Sequence, residues 1–247
     1  LTFAAAGCGA KRVKTEPDAP VSAPINWVVN VNTVTWPSYL GGNGAIFHPG
    51  AVAQSSMTLS HKSGAYVGTW TSTPLGGPAL SPNYAWEVDA FGGWTGKIPF
   101  DLNLSIDTML VGITPIGRYN GDVFQLTTTV GKNVRIRGKT LSPYFTYRYA
   151  TPVRGDSPIS GTFTMTGVST GYAIRRVSGS VKAEVVSDSG AFGFRPGWIL
   201  QGGGNVGLQI GRHWRAEMPF RWSTPLTVTS DGRKFEKQIG FRLAWQQ

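Results

Sequence analysis

The sequence predicts an all-β chain: an antiparallel, up-and-down transmembrane β-barrel of about twelve strands. Three observations point there. Strand-like segments are joined by connections that alternate between long and short, the layout of a barrel with long outer loops and short periplasmic turns. The clearest segments have period-two alternation, giving each an apolar face and a polar face. The composition also lacks any run near the ~20 apolar residues of a membrane-spanning helix.

The first two dozen residues stand apart. Leu1 to Gly7 read as the tail of a secretory signal peptide, and Ala5-Ala6-Gly7-Cys8 resembles a bacterial lipobox, which makes Cys8 a candidate lipidation site. An ordinary small-residue cleavage site at Ala4-Ala5-Ala6 is the alternative. Cys8 is the sole cysteine, so an internal disulfide is excluded. Residues 1–24 are therefore assigned as signal remnant and flexible periplasmic lead-in, and residues 25–247 as one barrel domain.

The strands follow in order. They are Ile25–Trp36, Ala51–Ser60, Ala65–Ser72, Tyr84–Trp94, Phe100–Ile106 and Asp122–Val130, then Val134–Tyr149, Gly161–Ile174, Val177–Val186, Gly197–Ile210, Trp214–Trp222 and a last strand ending near Trp245. The long connections are Pro37–Gly50, Thr73–Pro82, Gly112–Asn120, Ala150–Ser160, Ser187–Pro196 and Ser223–Gly232. The tight ones are His61–Gly64, Thr95–Ile98, Gly131–Asn133, Arg175–Arg176 and Gly211–Arg212.

Phe100, Leu102, Leu104 and Ile106 share one face, against Asp101, Asn103, Ser105 and Asp107. Trp86, Val88 and Ala90 oppose Glu87 and Asp89; Trp214, Ala216, Met218 and Phe220 oppose Arg215, Glu217 and Arg221. In the last strand Phe235, Ile239, Phe241, Leu243 and Trp245 oppose Lys234, Glu236, Gln238 and Arg242. A ring of about twelve strands is wider than the eight-stranded barrels that side chains alone can fill, so the apolar face is assigned to lipid. Trp86 with Trp94, and Trp214 with Trp222, then form an aromatic girdle, each pair roughly 25 Å apart along its strand. The polar face is left to the lumen. Its expected pore-lining residues are Glu87, Asp89, Asp101, Asp107, Arg135, Arg137, Arg215, Glu217, Arg221 and Arg242. Opposed acidic and basic walls would set a transverse field; pairing of the same charges across the lumen would instead plug it.

Charged residues make up 15% of the chain, below the ~25% of an ordinary soluble domain. The net charge is +10, with the basic residues scattered rather than gathered in a stripe, which argues against nucleic acid and for lipid phosphates or anionic solutes.

His61-Lys62-Ser63-Gly64-Ala65-Tyr66-Val67-Gly68-Thr69-Trp70-Thr71-Ser72 resembles the Ser-Gly-x-Tyr-x-Gly-x-Trp-x-Ser hairpin of the TorF-type porin family, and Glu87-Val88-Asp89 with Gly92-Gly93 resembles that family's next strand. The chain departs from the family pattern at Pro37-Ser38-Tyr39-Leu40 and at Thr114-Pro115. The resemblance implies an outer-membrane barrel of porin type, with no defined substrate and no catalytic residue.

Other motifs carry less. Arg154-Gly155-Asp156 matches an integrin-binding tripeptide and also ordinary turn chemistry. His48, His61 and His213 lack zinc spacing, and Ser60 and Ser63 near His61 do not by proximity make a Ser–His hydrolase. The expectation is a Gram-negative outer-membrane protein, not an enzyme, without metal or cofactor. It acts as a narrow diffusion channel for small polar or anionic solutes among outer-membrane lipids. The alternative is a closed structural or assembly barrel presenting its extracellular loops to a protein partner. An outer-membrane lipid hydrolase and a soluble periplasmic lipid-binding barrel rank behind both. The oligomeric state is not readable from the chain.

Overall fold

A computed structural model describes residues 27–76, 86–113, 122–153, 160–227 and 231–247. The lead-in with Cys8 and the Arg154-Gly155-Asp156 tripeptide lie outside the described residues. The described strands are β1 (Trp27–Trp36), β2 (Tyr39–Leu40), β3 (Ile46–His48), β4 (Val52–His61), β5 (Ala65–Pro74), β6 (Glu87–Ile98), β7 (Leu102–Ile113) and β8 (Val123–Lys132). They continue with β9 (Val134–Ile136), β10 (Lys139–Pro152), β11 (Gly161–Ile174), β12 (Val177–Asp188), β13 (Gly197–Ile210), β14 (Trp214–Pro225), β15 (Glu236–Ile239) and β16 (Phe241–Gln246).

Twelve antiparallel strands close into a barrel. Each pairs with its sequence neighbour, and β16 pairs with β1 to complete the ring. The twelfth strand is β15 and β16 together. They hold one register on β14, and the ladder between them is interrupted opposite Pro219, which has no N–H to give. Gly240 donates to the Pro219 carbonyl there. The wall strands run 10 to 14 residues apart from this split one, enough to cross a bilayer at a tilt.

The two faces fall where the alternation puts them. On β6, Glu87, Asp89 and Phe91 face inward while Trp86, just before it, and Val88 are exposed outside. The outer wall carries Trp27, Met57, Val67, Phe145, Tyr147, Val206, Met218 and Phe241, all exposed.

Two tight turns differ from the sequence expectation. β6 runs on to Ile98, and the turn is Pro99-Phe100-Asp101, not Thr95–Ile98. Pro99 cannot extend the ladder, and Phe100 and Asp101 both take positive φ (67° and 57°). Phe100 is consequently an exposed turn tip, 85% accessible, rather than the first residue of a strand. Gly131–Asn133 is likewise not a turn. Past Asn133 the chain resumes as β9, still in the β8–β10 register, and turns at Arg137-Gly138. Arg137 (φ 50°) and Gly138 (φ 78°) supply the paired left-handed residues of a two-residue hairpin.

Interior glycines let aromatic rings lie flat on the wall. A Cβ on Gly68 would run into the Phe91 ring. Gly93 sits under Tyr66 and Gly167 under Tyr144 in the same manner. These contacts cover bare backbone and pin the register of adjacent strands.

Candidate functional site: the barrel interior

The interior changes character along its axis. At the end bearing the long loops, Val34, Trp36, Val52, Trp70, Met109, Val111, Val123 and Ala150 form a buried apolar cluster, and Phe163, Val186, Ala191 and Ile199 form a second. Such a cluster needs a lid, and the first long connection supplies it. Residues 37–50 fold into the barrel as the β2–β3 hairpin, with Tyr39, Leu40, Asn43, Ala45 and His48 all buried.

The local sequence builds this hairpin. Gly41 and Ala45 close it, Gly44 takes φ 76°, and the Asn43 side chain accepts the Ala45 N–H at 3.2 Å. Its apolar residues then meet the core. Tyr39 lies edge-on to Phe47 at 5.3 Å and against Trp70 at 6.0 Å. Phe47 reaches Phe192 and Phe194 of the 189–196 loop.

Charged wall residues hold the hairpin by its backbone and its one phenol. Tyr39 donates to Glu87 Oε2 at 2.7 Å. Arg221, from β14 across the ring, donates to the Leu40 carbonyl at 3.0 Å and the Ser38 carbonyl at 3.4 Å. It also donates to Gln238 Oε1 at 2.7 Å and lies over the Trp36 ring. Gln238 donates to Ser38 Oγ. Residues 38–40 thus bridge the acidic wall and the basic wall.

A second clamp sits among the loops themselves. Arg233 is buried and pairs with Asp188 at 3.0 Å and with Asp231 at 2.6 Å. It also donates to the carbonyls of Asn43 and Arg195. One guanidinium therefore ties the hairpin, the 189–196 loop and the 226–235 loop together. Asp231 is pushed up by partial burial, but hydrogen bonds and charge from Arg233 and the Arg195 N–H outweigh this and hold it below the ordinary carboxylate range.

Midway down, the lining turns polar. Glu184 accepts from Tyr144, from Lys182 at 2.7 Å and from Gln201 at 2.8 Å. Arg148 donates to Thr127 at 3.2 Å, and Asp107 accepts from Ser105 at 3.0 Å. Nearer the turns, Glu217 is shared by Arg215 at 2.9 Å, Arg242 at 3.1 Å and Asn205 at 3.2 Å. Lys182, Arg215 and Arg242 keep roughly a quarter to a third of their side chains accessible (23%, 31% and 30%).

The structure thus brings Glu87, Asp89, Asp107, Arg215, Glu217, Arg221 and Arg242 onto the inner face. Asp101 is on the Pro99-Phe100-Asp101 turn, and Arg135 and Arg137 are on a hairpin that pairs only with β10, past the end of the β7–β8 ladder. Those three are exposed at the rim and do not line the lumen, because the turns fall three to six residues beyond the expected ones. Trp86, Trp94, Trp214 and Trp222 all take outward positions.

Arg148, Lys182, Glu184 and Arg233 were not singled out from sequence. The alternation Phe145, Tyr147, Tyr149 against Thr146, Arg148 marks Arg148 as inward; Arg233 carries no such signal, because a loop has no period. His61 Nδ1 lies 2.8 Å from Ser63 Oγ and accepts the Ser63 N–H at 3.3 Å, so this pair closes the turn. Among the described residues no ion pair orients that imidazole, as a hydrolytic triad would require.

Residues 20–142, about half of the chain, match a family model described as a bacterial protein of unknown function (Gcw_chp). No curated protein matches the chain. Among solved structures, the NanC porin shares 8% identity at a TM-score of 0.57, covering 88% of this chain and 98% of that one. A bacterial polysaccharide outer membrane secretin shares 6% at 0.56, covering 89% and 97%. The COG4313 outer membrane channel from Pseudomonas putida F1 shares 9% at 0.53, covering 95% and 100%. At these identities the likeness is one of fold: a porin-like barrel of the kind found in bacterial outer membranes.

Proposed function

We propose that this barrel is a narrow porin-like channel of the bacterial outer membrane, passing small polar or anionic solutes and closed down at its loop end by the inward hairpin. The observation that carries the reading is the axial division of the interior. Lys182, Arg215 and Arg242 neutralise buried Glu184 and Glu217 yet keep part of their side chains accessible on the inner wall. A conducting barrel uses such residues to replace part of a solute's hydration. The outward apolar wall, the resemblance of His61–Ser72 to a TorF-type hairpin and a fold like that of a porin and a channel support the same assignment. In this reading the barrel catalyses nothing and its basic excess favours anions.

A second reading, the closed structural barrel presenting its loops to a partner, is favoured by the apolar packing under β2–β3. Single-channel recording across a salt gradient separates them. The channel reading expects small conductance steps and an anion-selective reversal potential that shifts toward cations in the double variant Arg215→Glu, Arg242→Glu. Silence from inserted, heat-modifiable protein favours the structural barrel.

A further inference from the structure

The turn end of the barrel carries a concentration of positive charge that the channel reading does not use. The β8–β9–β10 hairpin presents Lys132, Arg135, Arg137 and Lys139, and the β11–β12 turn beside it presents Arg175 and Arg176. All six are exposed, and none is in an ion pair among the described residues. On the described turns of this end the one carboxylate is Asp101, on a different hairpin. The β10–β11 register, carried two residues past its last pair, sets Lys139 level with Tyr172, so the two basic tips stand side by side.

Two further features say what such a cluster would hold. Apolar side chains are interleaved with the cations: Ile136 and Ile174 are exposed at the tips, with Tyr172 next to them. A soluble acidic partner gives no reason for bare isoleucines there, whereas a headgroup layer accommodates cation and hydrocarbon together. Immediately above lies a shallow groove where Leu141, Val168, Thr170, Val181 and Ala183, all in outward register, meet strand positions Ser169 and Lys182. Ala183, with only a methyl group, leaves a furrow among Leu141, Val168 and Val181. The groove begins two residues, ~7 Å, from Lys139 along β10.

We propose that this corner of the barrel is a binding site for an anionic phospholipid of the turn-side leaflet. Arg137, Lys139, Arg175 and Arg176 hold the phosphate and its anionic headgroup, and one acyl chain lies in the groove. The site rests on the outer-membrane reading above. Guanidinium groups match phosphate oxygens in pairs, and the two hairpins bring three of them and the Lys139 ammonium to one spot.

The test uses the full chain refolded in micelles, with heat-modifiable migration confirming the barrel. Native mass spectrometry then follows uptake from an equimolar mixture of phosphatidylglycerol and phosphatidylethanolamine. Wild type is expected to retain phosphatidylglycerol preferentially. Arg175→Ser with Arg176→Ser is expected to lower that preference about 30-fold. Ala183→Phe, which fills the groove, is expected to lower occupancy by both lipids while keeping their ratio. Arg195→Ser, at the loop end, is expected to change nothing. Equal uptake of both lipids by wild type, or a preference indifferent to the double substitution, overturns the site. So does sedimentation with peptidoglycan that depends on Arg175 and Arg176 without any lipid preference. Protein that folds yet fails to insert into vesicles overturns the membrane reading itself, a result distinct from inserted protein that takes lipids without discrimination.

Discussion

Arg233→Ala tests the clamp among the loops most directly. The guanidinium is 1% accessible and its partner Asp188 carboxylate 0%, so neither charge is screened by solvent. Removing one member of a buried pair costs about 3–5 kcal/mol, because the other is left charged and dry. Asp188 retains two backbone donors, the N–H groups of Gly190 at 2.8 Å and Ala191 at 2.9 Å, which places the cost near the lower bound. The loss falls on loop packing rather than on the strand ladder, so it shows as loop opening. About 3 kcal/mol multiplies the open fraction by roughly 100. Ala45, in the hairpin, is 3% accessible and reports on that fraction. In a Cys8→Ser background, where no other thiol exists, Ala45→Cys reacts with maleimide only from the open state. The labelling rate of the folded barrel is expected to rise about 100-fold with Arg233→Ala. A rate within twofold of the parent would show that Arg233 does not hold the hairpin, and the clamp would be wrong.

Three further outcomes follow from the same geometry. Because Asp231 is held below the ordinary carboxylate range, its support for Arg233 is fully present above its unfolded value and is lost as pH falls through the depressed one. Maleimide labelling of the Ala45→Cys protein, corrected for the reagent's own pH dependence, should therefore stay flat from pH 7 to about pH 5 and climb only in stronger acid; a rise already at about pH 6 would implicate another group. Tyr39→Phe keeps the ring on Trp70 but strips Glu87 of its donor, at a cost of about 1.5–3 kcal/mol, read as a tenfold or greater rise in the same labelling. Gly68→Val drives its side chain into the Phe91 ring and the Met57 carbonyl, and should lower barrel stability by about 1–3 kcal/mol in urea titrations of heat-modifiable mobility.

Strand number, closure and sidedness are legible in this chain because a barrel wall separates two solvents, and every strand must then repeat with period two. Glu87 against Val88, or Arg215 against Trp214, cannot be phased otherwise without putting charge into lipid. Turn positions are less legible. Pro99 and the Arg137-Gly138 pair are local signals, but Gly96 and Gly131 offer equally good ones, and only the pairing partners choose between them. Glycine in this barrel serves two purposes, turning the chain and seating a ring, and sequence does not tell them apart: Gly131 stays in a strand, Gly138 turns. The folding-in of residues 37–50 is the least legible feature. Its determinants are Tyr39 with Glu87 and Arg221 with Leu40, contacts made across the ring by residues far apart in the chain.

Under the channel proposal, the inward hairpin sets where a solute can pass. Its tethers are polar, but what lies beneath is not: Tyr39 and Leu40 cover Trp36, Val52 and Trp70, and burying each such side chain is worth about 1.5–3 kcal/mol. Breaking the hydrogen bonds of Arg221 and Glu87 alone would leave the hairpin seated by several kcal/mol of apolar contact. Lifting it away would also expose the cluster to water. Thermal opening of the whole loop end is accordingly rare, and in the proposed channel conduction would run past the hairpin rather than through its place. The polar side of that route is the Arg221–Gln238–Ser38 seam, where the hairpin meets the wall through side chains that can exchange a protein partner for water or a solute oxygen. A Gln238→Leu change, which makes the seam apolar without unseating Tyr39, should cut conductance more than Tyr39→Phe, which loosens the hairpin without drying the seam. The reverse order would place the route on the Glu87 side.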